Sequence, residues 1–228
     1  MKRSFPLPVE AVTIDLDGTL VDSIPDLATA SNMMLGELGR PPLPLKLIRT
    51  FVGKGIANLV DRALAGHIDG GADRALIARA MPIYERCYTQ VNGKHTTIYP
   101  GVKEGLAALE AQGFPLACVT NKSVRFAQPL LEMLGLAKHF TQLVGGDTLA
   151  QKKPDPAPLI YAAERFGIAP SDMLMIGDSI NDTQAARGAG CAVFCVTYGY
   201  NEGHDVRTLE TDAIIDALPE AARLVRKA

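Results

Sequence analysis

Val9-Glu10-Ala11-Val12-Thr13-Ile14-Asp15-Leu16-Asp17-Gly18-Thr19 is a mostly apolar run that ends abruptly in two acids, a glycine and a threonine. Its β-branched content predicts a strand over Val9 to Leu16. Strand side chains alternate, so Asp15 and Asp17 turn to the same side. Two carboxylates that close repel each other, and burying them unpaired is costly. A hard divalent cation would relieve the repulsion, and Mg2+ prefers carboxylates together with water and substrate phosphate. Gly18 permits a sharp turn as the chain leaves the strand. The competing reading is a plain Asp-Gly turn with both carboxylates in solvent.

Further strands are expected at Pro115 to Thr120, Gln142 to Gly145, Met173 to Gly177 and Ala192 to Thr197, with a weaker one near Ala213 to Ile215. Runs such as Ala117-Cys118-Val119 and Met173-Leu174-Met175-Ile176 are apolar on both faces, the mark of strands covered on both sides. Helical patterns fall between them, at Val102 to Gln112, Ser123 to Leu134, Pro156 to Phe166 and Asn181 to Ala189. Gly113, Gly135, Gly167 and Gly190 follow as helix stops. This alternation predicts an α/β fold with a doubly wound, Rossmann-like parallel sheet.

One interval breaks the rhythm. About a hundred residues separate the first strand from the second, whereas a crossover needs only a dozen or more. The interval reads as helical, at Asp26 to Leu38, Pro44 to Phe51, Ile56 to Ala65 and Ala72 to Tyr88, with Pro and Gly clusters between the pieces. An all-helical domain over 22–98, inserted into a core of 1–21 and 99–228, is the expected organisation. It would face the carboxyl edge of the sheet, where open sheets bind ligands.

The 228 residues are 47% hydrophobic and 21% charged, with a net charge of −2. This is an ordinary globular balance with no electrostatic footprint for nucleic acid or an anionic membrane. No stretch approaches the ~20 apolar residues of a membrane span. The start, Met1-Lys2-Arg3-Ser4-Phe5-Pro6-Leu7-Pro8, is interrupted by prolines before a signal-type apolar core forms. A cytoplasmic protein is expected. Cys87, Cys118, Cys191 and Cys195 form no Cys-x-x-Cys pair and read as small buried hydrophobes.

Three more polar signals stand at strand ends. In Gly177-Asp178-Ser179-Ile180-Asn181-Asp182, Ser179 and Asp182 have the spacing of a helix capping box, which leaves Asp178 without an explanation. Asp178 is a candidate third carboxylate. In Thr120-Asn121-Lys122-Ser123, the hydroxyl, the amide and the N–H groups of a helix start suit a phosphate, although simple N-capping accounts for them as well. In Lys152-Lys153-Pro154-Asp155-Pro156, the prolines stiffen a loop able to aim Lys153 inward; two solvated lysines are the alternative.

Taken together, these residues resemble the haloacid dehalogenase-like superfamily, and within it the phosphoglycolate phosphatases. Asp15-x-Asp17-Gly18-Thr19 is similar to the first motif, Thr120 to the second, Lys153 to the third and Gly177-Asp178-x-x-x-Asp182 to the fourth. Val52-Gly53-Lys54-Gly55 and Tyr99-Pro100-Gly101 are similar to the phosphoglycolate group. The resemblance implies a phosphatase in which Asp15 is the nucleophile and Asp17 the general acid and base. Mg2+ would sit on Asp15, the Asp17 backbone carbonyl and Asp178. Asp182 would order a metal-bound water or Lys153, while Thr120, Asn121 and Lys153 hold the phosphoryl group. The helical insert would be a cap. Lys54, between two glycines, is expected to approach a substrate carboxylate such as that of 2-phosphoglycolate, with a solvated loop lysine as the alternative. Other substrates compatible with the motifs are pyrophosphate, a sugar phosphate or a nucleotide, and a β-phosphoglucomutase-like phosphomutase shares the acid pair. Either a monomer or a homodimer is compatible with the sequence.

Overall fold

The structure, a computed structural model, describes residues 4–228; the first three residues of the N-terminal stretch and of the expected core lie outside the described residues. The chain opens with β1 (Leu7–Val9), β2 (Ala11–Ile14) and β3 (Val21–Asp22). Four helices follow: α1 (Ile24–Glu37), α2 (Leu45–Phe51), α3 (Ile56–Ala65) and α4 (Arg74–Val91). The chain returns through β4 (Thr97–Ile98), α5 (Val102–Ala111), β5 (Leu116–Val119), α6 (Val124–Met133) and β6 (Gln142–Val144). It continues with α7 (Ala157–Phe166), β7 (Met173–Gly177), α8 (Ile180–Ala189), β8 (Ala192–Val196) and β9 (Ala213–Ile215), and ends with α9 (Leu218–Leu224) and β10 (Val225–Lys227).

Among the described residues, six strands form one sheet in the order β6-β5-β2-β7-β8-β9, with every neighbouring pair parallel. Side-chain alternation sorts the sheet into two apolar faces. Val12, Ile14, Cys118, Leu174 and Ile176 pack with α5, α6 and α9. Ala11, Ala117, Val119, Met173 and Met175 pack with α7 and α8 on the opposite face. Burial on both faces is why these strands read as continuous apolar runs. From β2 the chain steps outward to β5 and β6, then crosses back to β7 and proceeds to β8 and β9. The boundary between β2 and β7 is therefore the topological switch point, where the carboxyl ends of the strands leave a crevice.

Helices α1 to α4 bury their own apolar cluster, including Met34, Ile48, Phe51, Val60 and Tyr84. They leave and rejoin the sheet through β3 and β4, which pair antiparallel with Val21 opposite Ile98 and Asp22 opposite Thr97. Asp26, fully buried at the start of α1, fastens this junction. Its carboxylate accepts the backbone N–H groups of Gly93, His95 and Thr96 and the Thr96 hydroxyl, at 2.6–3.0 Å.

Several boundaries differ from the sequence expectation. The first central strand spans only Ala11–Ile14, because Glu10 donates its N–H to the Asp172 carbonyl at 2.6 Å and separates it from β1. β1 instead pairs in parallel with β10 in a small sheet of its own. Helix α4 begins at Arg74 rather than Ala72, since the Asp73 carboxylate caps it by accepting from Ala75 and Leu76. Helix α1 begins two residues before Asp26, with Pro25 in its first turn. Neither β1 nor the terminal α9–β10 unit was expected, because segments this short carry no readable period.

Candidate active site

β2 delivers the first acids. The Asp15 N–H donates to the Ile176 carbonyl of β7 at 2.9 Å, so the chain just past Ile14 stays in register with the neighbouring strand. The following loop closes on itself: Leu20 and Val21 donate to the Leu16 carbonyl at 3.0 Å, and Gly18 donates to Val21 at 2.9 Å. Gly18 has φ +97°, and a Cβ there would lie 2.5 Å from Asp178 Oδ2. The glycine thus serves both the turn and the close passage of backbone beside the acid at the end of β7.

Asp178 follows directly on β7. Its carboxylate accepts the Tyr200 N–H at 2.6 Å and the Thr19 hydroxyl at 3.2 Å. Asp182, one turn into α8, completes the capping box read from the sequence, with its Oδ2 accepting Ser179 Oγ at 2.8 Å and the N–H groups of Ser179 and Asp178 at 3.1 and 3.2 Å. Its Oδ1 accepts Lys153 Nζ at 2.7 Å. The same ammonium donates to Asp15 Oδ1 at 2.8 Å and to the Val119 carbonyl at 2.6 Å, so all three of its hydrogens are engaged.

Asp15, Asp178 and Asp182 each offer a carboxylate oxygen within 4.8 Å of one another, and all three residues are buried. Burial raises Asp15 to about 7; Lys153 opposes the rise and the Asp182 charge adds to it. Burial likewise raises Asp178 to about 8, with the charges of Asp182 and Asp15 pushing the same way. Burial alone would lower Lys153, but the two carboxylates beside it leave it above its ordinary value. Oxygen donors held this close are a donor set that suits a hard divalent cation. Asp182 accepts four hydrogen bonds within the chain, three on Oδ2 and the Lys153 ammonium on Oδ1, whereas Asp178 accepts one on each oxygen and Asp15 accepts Lys153 on Oδ1. Asp15 and Asp178 are the members suited to hold Mg2+, with Asp182 fixing Lys153 and the backbone at the end of β7.

The remaining expected residues divide. Thr120 is buried at the end of β5 and lines the same cavity, its hydroxyl accepting the Lys122 N–H at 3.2 Å. The Asn121 amide nitrogen, expected to face a phosphate, is committed to the carbonyls of Gly53 and Lys153 at 2.9 and 2.7 Å. It ties the loop before α3 to the Lys153 loop. Lys54 departs furthest from expectation. Gly53 and Gly55 line the cavity, but Lys54 does not; its ammonium pairs with Glu202 at 3.1 Å. Glu202 also holds Arg62 at 2.7 Å, and although burial opposes ionisation, these two cations keep its carboxyl below the usual range.

Lys122, Ser23 and Tyr200 were not singled out from sequence. Asp17 accepts Ser23 Oγ at 2.5 Å and takes Lys122 Nζ at 3.1 Å on both of its oxygens. Lys122 sits inside a quoted motif, but a lysine in the opening of a helix carries no sign that it will be buried. Its side chain is only 2% exposed.

Comparison with known proteins agrees with this geometry. The sequence profile of haloacid dehalogenase-like hydrolases matches residues 9–190. The chain is 58% identical over 223 residues to a phosphoglycolate phosphatase of Nitrosospira multiformis, spanning 98% of both chains. It is 51% identical over 226 residues to the phosphoglycolate phosphatase of Thiobacillus denitrificans, spanning 99% of this chain and all of that one. The solved structure of a predicted phosphoglycolate phosphatase from Haemophilus somnus superposes with a TM-score of 0.87 at 36% identity, over 93% of this chain and 96% of that one. The chain belongs to the haloacid dehalogenase-like hydrolases and, among them, to the phosphoglycolate phosphatase family.

Proposed function

We propose that this protein hydrolyses 2-phosphoglycolate to glycolate and inorganic phosphate through a phosphorylated Asp15, with Mg2+ held by Asp15, the Asp17 backbone carbonyl and Asp178. The observation that carries the reading is the convergence of Asp15, Lys153, Asp178 and Asp182 on one sheet edge in a chain 58% identical to a phosphoglycolate phosphatase. The bound cation supplies positive charge that screens an anionic nucleophile from an anionic phosphate.

The chain's own residues do the rest. Lys153 holds Asp15 Oδ1, which leaves Oδ2 to attack phosphorus in line with the departing oxygen. The new Asp15–phosphorus bond forms as the bond to the leaving oxygen breaks, and Asp17 gives that oxygen a proton. Asp17, steadied by Ser23 and Lys122, then takes a proton from the water that attacks the phosphorylated Asp15. Phosphate leaves and Asp15 is regenerated. Thr120 donates to the phosphoryl oxygens, and the Lys153 ammonium, held beside Asp15, supplies positive charge next to them as charge redistributes.

Residues 22–98 act in this reading as a cap over a core of 1–21 and 99–228, and the apolar side chains Leu27, Val52, Ile56 and Leu59 exclude water from the cavity. A soluble, cytoplasmic enzyme acting on a small phosphorylated metabolite is consistent with the lack, among the described residues, of any helix long and apolar enough to cross a membrane. The test is phosphate release across a panel of phosphorylated metabolites with Mg2+, using wild type and Asp15→Asn. Phosphoglycolate is expected to lead the panel, and the variant to be inactive yet folded. Near-normal turnover by Asp15→Asn would refute the nucleophile, and preference for another ester would refute the substrate.

A further inference from the structure

Two cations line the cavity among the described residues, Lys153 and Lys122, and they are not equivalent. Lys153 has spent its three N–H groups on Asp15, Asp182 and the Val119 carbonyl. It belongs to the phosphoryl end of the site. Lys122 makes both of its hydrogen bonds to a single carboxylate, that of Asp17. Its ammonium also lies 4.9 Å from the centroid of the Tyr88 ring, which fixes its position without consuming a hydrogen-bond donor. An ammonium has three donors, so Lys122 keeps one in hand. The Tyr88 hydroxyl is itself buried without a partner, and Tyr88 lines the same cavity. The helical insert contributes the apolar side chains Leu27, Val52, Ile56 and Leu59 to the same cavity. Lys54, the other cation expected near the substrate, is held outside by Glu202.

We infer that Lys122 is the specificity-determining residue that receives the carboxylate of the leaving group. The inference rests on the phosphatase reading above. With phosphorus at Asp15, the departing oxygen must lie within hydrogen-bond reach of Asp17. In a glycolate ester the carboxylate carbon is joined to that oxygen through one methylene, so it lies just beyond Asp17. Lys122 Nζ occupies that place, 3.1 Å from the Asp17 oxygens. When the substrate enters, Lys122 is shared between Asp17 and the substrate carboxylate, and the apolar side chains of the insert strengthen the pairing by excluding water. An ester with a neutral tail of the same size gains nothing from Lys122 and leaves its spare donor unmet.

The test compares kcat/KM for 2-phosphoglycolate and for ethyl phosphate, in which a methyl group replaces the carboxylate. Both are measured with Mg2+ on wild type, Lys122→Met and Lys122→Arg, each shown to be folded by circular dichroism. Loss of Lys122 also disturbs Asp17, so turnover of both esters falls, and the ratio between them isolates recognition. In Lys122→Met the preference for phosphoglycolate should drop at least about tenfold, chiefly through KM, as expected for loss of a charge-assisted contact. Lys122→Arg, which keeps the charge, should retain most of the preference. If Lys122→Met does not fold, Lys122→Gln carries the same expectation. A parallel fall of both substrates, with the ratio unchanged, overturns the inference and leaves Lys122 as a support for Asp17 alone. A wild type with no preference for phosphoglycolate over ethyl phosphate overturns the substrate reading itself, and this inference with it.

Discussion

The Lys153 ammonium donates to Asp15 Oδ1 at 2.8 Å, joining residues 138 positions apart at the carboxyl edge of the sheet. Each group is buried, and each offsets part of the cost of burying the other's charge. The contact fixes one oxygen of the acid at the end of β2 and places the Lys153 loop over the switch point.

Replacement of Lys153 by Met is therefore expected to abolish turnover, with a loss of at least about 10³. It also removes the counter-charge from Asp15 and Asp182, which should cost about 3–5 kcal/mol of stability at pH 8. The cost should shrink at pH 5, where Asp15 takes up a proton instead. Urea unfolding at both pH values measures this. A variant with wild-type stability at pH 8 would contradict the pairing.

The acids raised by burial give a second expectation, and its sign is definite. Asp15 and Asp178 have folded-state values of about 7 and about 8, above the ordinary carboxyl value. A group raised on folding adds stability at low pH and loses it as pH climbs through the folded value. Without a divalent cation, stability should fall between about pH 4 and pH 8. Mg2+ should reverse the loss, raising the melting temperature more at pH 8 than at pH 5.5, by about 2.7 kcal/mol of stability at a hundredfold excess over its dissociation constant. Thermal melts with Mg2+ and with chelator, at the two pH values, test this. An equal or smaller Mg2+ effect at pH 8 would count against the carboxylate cluster as the ion's site.

Asp26 bears on the junction rather than the chemistry. Its truncation to Ala strands three backbone N–H groups and the Thr96 hydroxyl. A loss of about 3 kcal/mol is expected. Amide hydrogen exchange should accelerate at Gly93, His95 and Thr96 ahead of the sheet amides. Unchanged protection at those three positions would show that the clamp is not needed.

Lys54 is expected to behave as a contact between the helical layer and the sheet. Its side chain is 37% exposed, and its partner Glu202 keeps Arg62 when Lys54 is lost. Pairs of this exposure contribute about 0–1 kcal/mol. Lys54→Ala should accordingly change kcat/KM for phosphoglycolate and for a neutral aryl phosphate by similar, small factors. A KM increase confined to phosphoglycolate would return Lys54 to the substrate.

Much of this protein is legible in one dimension because its signals are local. The central strand Met173–Gly177 is buried on both faces, so it appears as an apolar run with the bounds the structure has, and the edge strand Ala213–Ile215 is marked by its β-branched residues. Helix ends announce themselves through glycine and through the Ser179–Asp182 capping box. Asp15, Asp17 and Asp178 stand out because polar groups just after apolar strands lack a packing explanation, and Lys153 because prolines stiffen the loop that carries it. The small sheet of β1 with β10 left no such mark, since pairing between strands of three residues at opposite ends of the chain is decided by what the rest of the fold brings together.

The partners of those residues belong to the tertiary structure alone. Sequence order does not reveal that Lys122 would reach Asp17 across 105 positions, or that Glu202 would draw Lys54 out of the cavity. Both lysines sit in polar loop-like contexts of similar appearance. Their fates diverge because each ammonium pairs with the carboxylate nearest to it, and nearness is set by strand order and the placement of the helical layer. The sequence by itself determined which chemical groups stand at the sheet edge, since local burial patterns dictate the strands; only the folded arrangement decided which charge faces which, because electrostatic pairing depends on distances through space.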